Sequence, residues 1–147
     1  MNREDIVSTL NELIETCKDG EDGFRTCADR VKNPALKMFF EEKAKRCALG
    51  AAQLAAKVRD LGGDPEQSSS TSGMLHRFWV NIRTTIAGMD DESVLDECER
   101  GEDVAKQAYE EALRQDLPPD VRVMIAKQYQ EVKSNHDRVR DMRNALA

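Results

Sequence analysis

The sequence predicts an all-α chain: a four-helix bundle of two antiparallel hairpins joined by a crossover that contains a short fifth helix. Three observations predict it. Apolar residues recur in alternating steps of three and four along most of the chain, the period of helices that each bury one stripe. Aromatic residues make up 5% of the chain and charged residues 34%, a balance suited to a bundle core of Leu, Ile, Val, Ala and Met. The stretch Cys17-Lys18-Asp19-Gly20-Glu21-Asp22 returns as Cys98-Glu99-Arg100-Gly101-Glu102-Asp103; 98 minus 17, 101 minus 20 and 102 minus 21 each give 81. Each copy lies in a long helical pattern followed by a turn and a second helical pattern. With 147 residues, both hairpins share one core in a single domain.

The first pattern runs over 2–31, with seam positions Ile6, Leu10, Leu13, Cys17, Gly20, Phe24, Cys27 and Val31. Asn2 is placed to cap it. Asn33-Pro34 restarts the helix, since proline lacks an N–H that the first helical position would leave unbonded anyway. The second stripe is Leu36, Phe40, Ala44, Cys47, Ala51, Leu54, Val58 and Leu61, stopped by Gly62-Gly63-Asp64-Pro65. So short a turn forces the two helices antiparallel, giving a hairpin over 2–62. The crossover spans 63–89: a polar, Ser-rich loop over 66–72, then an amphipathic segment with Leu75, Phe78, Trp79, Ile82 and Ile86 on one side. Trp79, the only tryptophan, is expected to seal that segment against the bundle. The second hairpin, 90–146, opens on Asp90-Asp91-Glu92 and turns at Pro118-Pro119. Its stripes are Val94, Cys98, Gly101, Ala105, Ala108 and Ala112, then Val121, Ile125, Gln128, Val132, Asn135, Val139 and Met142. Two hairpins with a long crossover have the connectivity of ferritin-like bundles.

Composition narrows the function classes. A net charge of −6 argues against a general nucleic-acid binder, which needs a basic face to neutralise phosphates. No apolar run approaches the roughly 20 residues that cross a bilayer, and the N-terminus lacks the apolar core of a secretory signal. A cytoplasmic protein without membrane partners is expected. Its four cysteines, Cys17, Cys27, Cys47 and Cys98, form no C-x-x-C pair and are read as reduced thiols. An acidic bundle with Met and Phe near its crossover can pair along two helices, so a homodimer is the candidate assembly.

Chemistry is harder to find. Ferritin-like di-iron sites take a Glu from each of two helices and a Glu-x-x-His from each of the other two. The second helix has no histidine, and Lys133 stands three residues before His136 in the last. Neither Glu-x-x-His is present. The metal candidates are Glu21 and Glu102, one step off the seam, together with His136; iron or zinc would be the metal. Cys17, Cys47 and Cys98 form an alternative thiol set which, with an imidazole, would suit tetrahedral zinc. The preferred readings are plainer: thiols on seam positions behave as small hydrophobes, and Gly20 and Gly101 serve helix packing. Gln128 and Asn135, amides on seam positions, must find partners; each other, Glu102 and Tyr129 are the candidates. No nucleophile-base motif or phosphate loop is present, so no catalytic residue and no cofactor is assigned.

Four stretches, Leu10 to Gly20, Leu75-His76-Arg77 with Trp79-Val80-Asn81, Glu97 to Asp103, and Asn135 to Val139, resemble a small bacterial four-helix-bundle family of unknown function. That family is grouped in the ferritin-like superfamily, near rubrerythrin. The resemblance implies the ferritin-like fold and carries no activity with it. Where rubrerythrin-type helices would place Glu and His, this chain has Cys47 and Gly50, then Lys133 and His136, of which His136 alone matches. The expected function is a non-enzymatic structural or interaction protein, stress-associated by analogy with the superfamily. The alternative is a metal-binding or redox protein with a partial site at the bundle centre.

Overall fold

A computed structural model describes residues 1–65 and 73–146; the loop expected over 66–72 lies outside them. Five α-helices, and no strand, are present among the described residues: α1 (Arg3–Arg30), α2 (Pro34–Asp60), α3 (Gly73–Thr85), α4 (Asp91–Leu113) and α5 (Pro119–Leu146), with a single 3₁₀ turn over Ile86–Gly88. The chain is a helical bundle.

Local chemistry places the helix ends. The side-chain oxygens of Asn2, Asn33 and Asp90 accept from the backbone N–H of Asp5, Ala35 and Ser93, each at 2.8 Å, which satisfies amides that have no partner within the helix. Gly62, at φ +79°, ends α2 in the left-handed conformation that costs glycine little. The Asp91 carboxylate accepts from the backbone N–H of Lys32 and Asn33 at 2.9 and 3.0 Å. It ties the α1–α2 turn to the start of α4.

Cross-helix contacts give the directions. Arg3 at the start of α1 donates to the Leu61 carbonyl just beyond α2, so these helices are antiparallel. Thr9, Cys17 and Cys27 of α1 meet Gln115, Tyr109 and Cys98, which sets α4 antiparallel to α1. Along α2, Lys43, Gly50 and Lys57 meet Asn135, Gln128 and Asp120 of α5. Helices α2 and α4 therefore run parallel, and the chain must travel the length of the bundle between them. Helix α3, on that route, packs on α1 and α4.

Every seam position named above on α1 is buried, as are most of those on the other helices. The core forms two clusters. Phe24, Phe40, Trp79, Leu95 and Val139 centre one; Leu10, Leu54, Tyr109 and Ile125 centre the other. No helix among the described residues is long and apolar enough to cross a membrane.

Candidate functional site

Between the two clusters, at mid-height, the helices line a partly open cavity of about 60 Å³. Small residues make the room. Gly20 of α1 faces the Cys47 sulfur, and Gly50 of α2 faces the Cys17 sulfur; a Cβ at either glycine would stand 3.1 or 3.4 Å away. Each thiol thus rests in the notch left by a glycine on the opposite helix. On the other side the Trp79 indole of α3 enters between α1 and α4. A Cβ at Gly23 would overlap that ring, and one at Gly101 would come within 2.8 Å of it. Trp79 is 3% exposed and stacks edge-on against Phe24 and Phe78. Its Nε1–H is buried with no acceptor among the described residues.

The polar wall comes from α2, α4 and α5. Glu102, 5% exposed, lines the cavity and makes no hydrogen bond among the described residues. Burial pushes its carboxyl up to about 8, against the opposing pull of the Lys43 ammonium, because removing a carboxylate from water disfavours its charge. At neutral pH Glu102 is a carboxylic acid. Lys43, itself buried, donates to Asn135 Oδ1 at 2.5 Å and lies 5.4 Å from the centre of the Phe39 ring. Its pKa is lowered by burial and then by Arg138.

A second polar chain crosses the floor. The Tyr109 hydroxyl donates to Gln128 Oε1 at 2.7 Å, which leaves the Cys17 thiol to donate to the hydroxyl oxygen at 3.3 Å. Gln128 Nε2 donates to the Gly50 carbonyl and to Gln53 Oε1. Burial raises the Cys17 thiol to about 11 and lifts Cys47 and Tyr109 well above their usual ranges. These groups stay protonated. Arg46, the only exposed residue on the wall, pairs with Glu131 across α2 and α5.

The expected site residues separate in space. Glu102 lines the cavity, whereas Glu21 turns to Arg25, one helical turn on, at 2.8 Å. His136 lies outside the wall with Nε2 2.7 Å from Asp103 and Nδ1 3.3 Å from Asp137. Of the thiol set, Cys17 and Cys47 share the cavity; Cys98 sits one layer away, 3.2 Å from the Cys27 sulfur. Among the described residues no three His, Cys, Asp or Glu side chains converge as metal ligands do. The amide partners differ from those expected. Gln128 pairs with Tyr109, Gly50 and Gln53, and Asn135 with Lys43, while Tyr129 goes to Glu110. A seam amide selects whichever partner the neighbouring helix presents, and α2 presents a lysine.

Lys43, Tyr109 and Gly23 were not anticipated, and Gly50 was named only as a position where a rubrerythrin-type helix would carry a ligand. Gly50, three residues after Cys47 within a helix, carried a signal: an interior glycine costs about 1 kcal/mol and calls for a close approach. Lys43 carried none, because a lysine beside a seam position ordinarily lies in water.

The comparison with curated proteins found no match. The model of a family described as a domain of unknown function, DUF2383, matches residues 5–115, which takes in α1 to α4, the crossover and most of the cavity wall. The chain belongs to the DUF2383 family.

Proposed function

We propose that this protein is a ferritin-like bundle without a di-metal centre, acting as a non-enzymatic structural or interaction protein of the cytoplasm. The observation that carries the reading is the Lys43 ammonium at the bundle middle, bonded to Asn135 and acting on Glu102. A ferritin-like site needs carboxylates facing one another across the helices, with metal cations neutralising them. Here the charge at that level is supplied by a protein cation, and the carboxyl beside it is held neutral by burial. Hard cations want ionised oxygen ligands, and a neutral acid, an amide and an ammonium are a poor donor set. The donors present do not fit iron.

The direction of the helices supports the ferritin-like assignment, since parallel α2 and α4 require the long crossover of that class. The net charge of −6 supports partners other than nucleic acid. Elemental analysis of protein purified without chelator tests the reading. Iron, zinc and manganese should each fall well below one per chain, and added Fe(II) or Zn(II) should leave the melting temperature unchanged. One metal per chain, lost in Glu102→Ala or His136→Ala, would overturn it in favour of a metal protein.

A further inference from the structure

We propose that the central cavity binds a small monocarboxylate of formate or acetate size, held by the Trp79 indole N–H and the Glu102 carboxyl. The inference rests on the metal-free reading of the bundle middle, which elemental analysis tests separately. One polar atom of a wall residue, Trp79 Nε1–H, is buried with no partner among the described residues, and the Glu102 carboxyl, lining the same cavity, makes no hydrogen bond among them. Buried polar groups are nearly always bonded, to protein or to something the site holds. Tyr109 and Gln128 already serve each other, so the buried donor left with unmet capacity is the Trp79 indole, with the Glu102 carboxyl on the same wall.

Their chemistry selects the ligand's sign. The indole N–H can only donate, and a protonated carboxyl offers its O–H. Lys43 places positive charge beside Glu102, while Arg46 on the wall is neutralised by its pair with Glu131. Two donors under a cation fit an anion with two acceptor oxygens. An ammonium ion would face those two donors and the Lys43 charge, with Glu131, the charged acceptor on the wall, already bonded to Arg46. Size narrows the class further. A dry cavity of about 150 Å³ accepts the six carbons of benzene, so the roughly 60 Å³ here suits about two or three heavy atoms by the same scale, which matches formate and makes acetate the upper limit.

The ionisable groups around the cavity are Glu21 and Cys17 of α1, Lys43, Arg46 and Cys47 of α2, Cys98, Asp103 and Tyr109 of α4 along with Glu102 itself, and Glu131 of α5. Once Glu102 loses its proton, a bound carboxylate would face a second anion. Affinity is therefore expected to fall above the pH at which that happens.

Trp79 is the only tryptophan, so ¹⁵N-labelled protein has a single indole resonance to report on the cavity. Sodium formate and sodium acetate are titrated at about pH 6.5, with sodium chloride and ammonium chloride at matched ionic strength. The expected result is a saturable shift of the indole resonance with formate or acetate alone. Affinity should be about tenfold weaker at about pH 9, one unit above the Glu102 value, where about a tenth of the acid form remains. Glu102→Gln keeps a neutral donor and should hold its affinity at both pH values. Trp79→Phe, followed by the line width of ¹³C-formate, should bind several-fold more weakly. The inference is overturned by an equal response to chloride, by saturation with ammonium only, or by no saturation up to about 100 mM, which would mean water alone fills the space. Glu102→Gln following the wild-type pH dependence, or Trp79→Phe binding unchanged, would also overturn it.

Discussion

Replacing Glu102 by glutamine isolates the cost of keeping an ionisable group in the bundle middle. In the folded chain the carboxyl titrates at about 8, and the ordinary value is 4.5. Below pH 4.5 the carboxyl is protonated folded or unfolded, and wild type and variant differ little. As pH rises, the unfolded chain gives up its proton first. The folded state then binds more protons than the unfolded one, and stability falls as pH increases. The slope is about 1.4 kcal/mol per pH unit, sustained until the folded group itself ionises, so the ceiling is about 5 kcal/mol. That is a large share of the roughly 5–15 kcal/mol that holds a domain of this size together. Glutamine has nearly the same shape, carries no charge, and gives up no hydrogen bond, because Glu102 makes none among the described residues. Urea unfolding of both proteins at about pH 5, 7 and 9 measures the difference, and other titrating groups cancel in the subtraction. Glu102→Gln should match wild type at the lowest pH and exceed it by a few kcal/mol at the highest. Parallel stability profiles would refute the buried, neutral carboxyl.

Glycine substitutions test the packing from both sides. Gly23→Ala should destabilise by about 1–3 kcal/mol, the usual cost of overfilling a core, since its methyl would overlap the Trp79 ring; displaced toward water, Trp79 should emit at longer wavelength. Gly50→Ala should be neutral or stabilising by up to about 1 kcal/mol, because its methyl meets the Cys17 sulfur at an ordinary 3.4 Å. Thiol labelling of the native protein by an aromatic disulfide should be slow at every cysteine, with Cys47, the half-buried one, reacting first. Loss of that first phase in Cys47→Ala, followed by mass spectrometry, checks the order; fast labelling of Cys27 or Cys98 would contradict their burial.

The helices were legible because periodicity and punctuation agree. Stripes with steps of three and four lie where the cores form, and Asn2, Asn33-Pro34, Gly62 and Pro119 mark ends that obey local backbone chemistry, which a sequence states directly. The cavity was legible only in part. Gly20 and Gly101 pointed to close packing, and Glu102 was among the carboxylates named, but its partner was not. Contacts between residues 92 positions apart, such as Lys43 with Asn135 and Cys17 with Tyr109, depend on which faces the crossover brings together. No local pattern encodes them. Gly23 shows the same limit from the other side, since its role exists only once Trp79 arrives from α3.

The repeat itself shows where such a reading stops. Gly20 and Gly101 are equivalent by the 81-residue offset, yet one admits the sulfur of Cys47 and the other the ring of Trp79. Glu21 and Glu102 are equivalent too, but one pairs with Arg25 at the surface and the other is buried toward Lys43. The difference does not lie in the repeated residues. Arg25 stands four residues after Glu21, an ion-pair spacing that draws its carboxylate outward. Lys106 stands at the matching place after Glu102, and no ion pair joins the two. The crossover breaks the symmetry as well, since α3 covers one face of the α1–α4 contact and sends a single indole inward. The repeated pattern therefore places one acid in the cavity wall and its counterpart in a surface ion pair, because what surrounds each copy, and not the copied residues, decides which way the carboxyl turns.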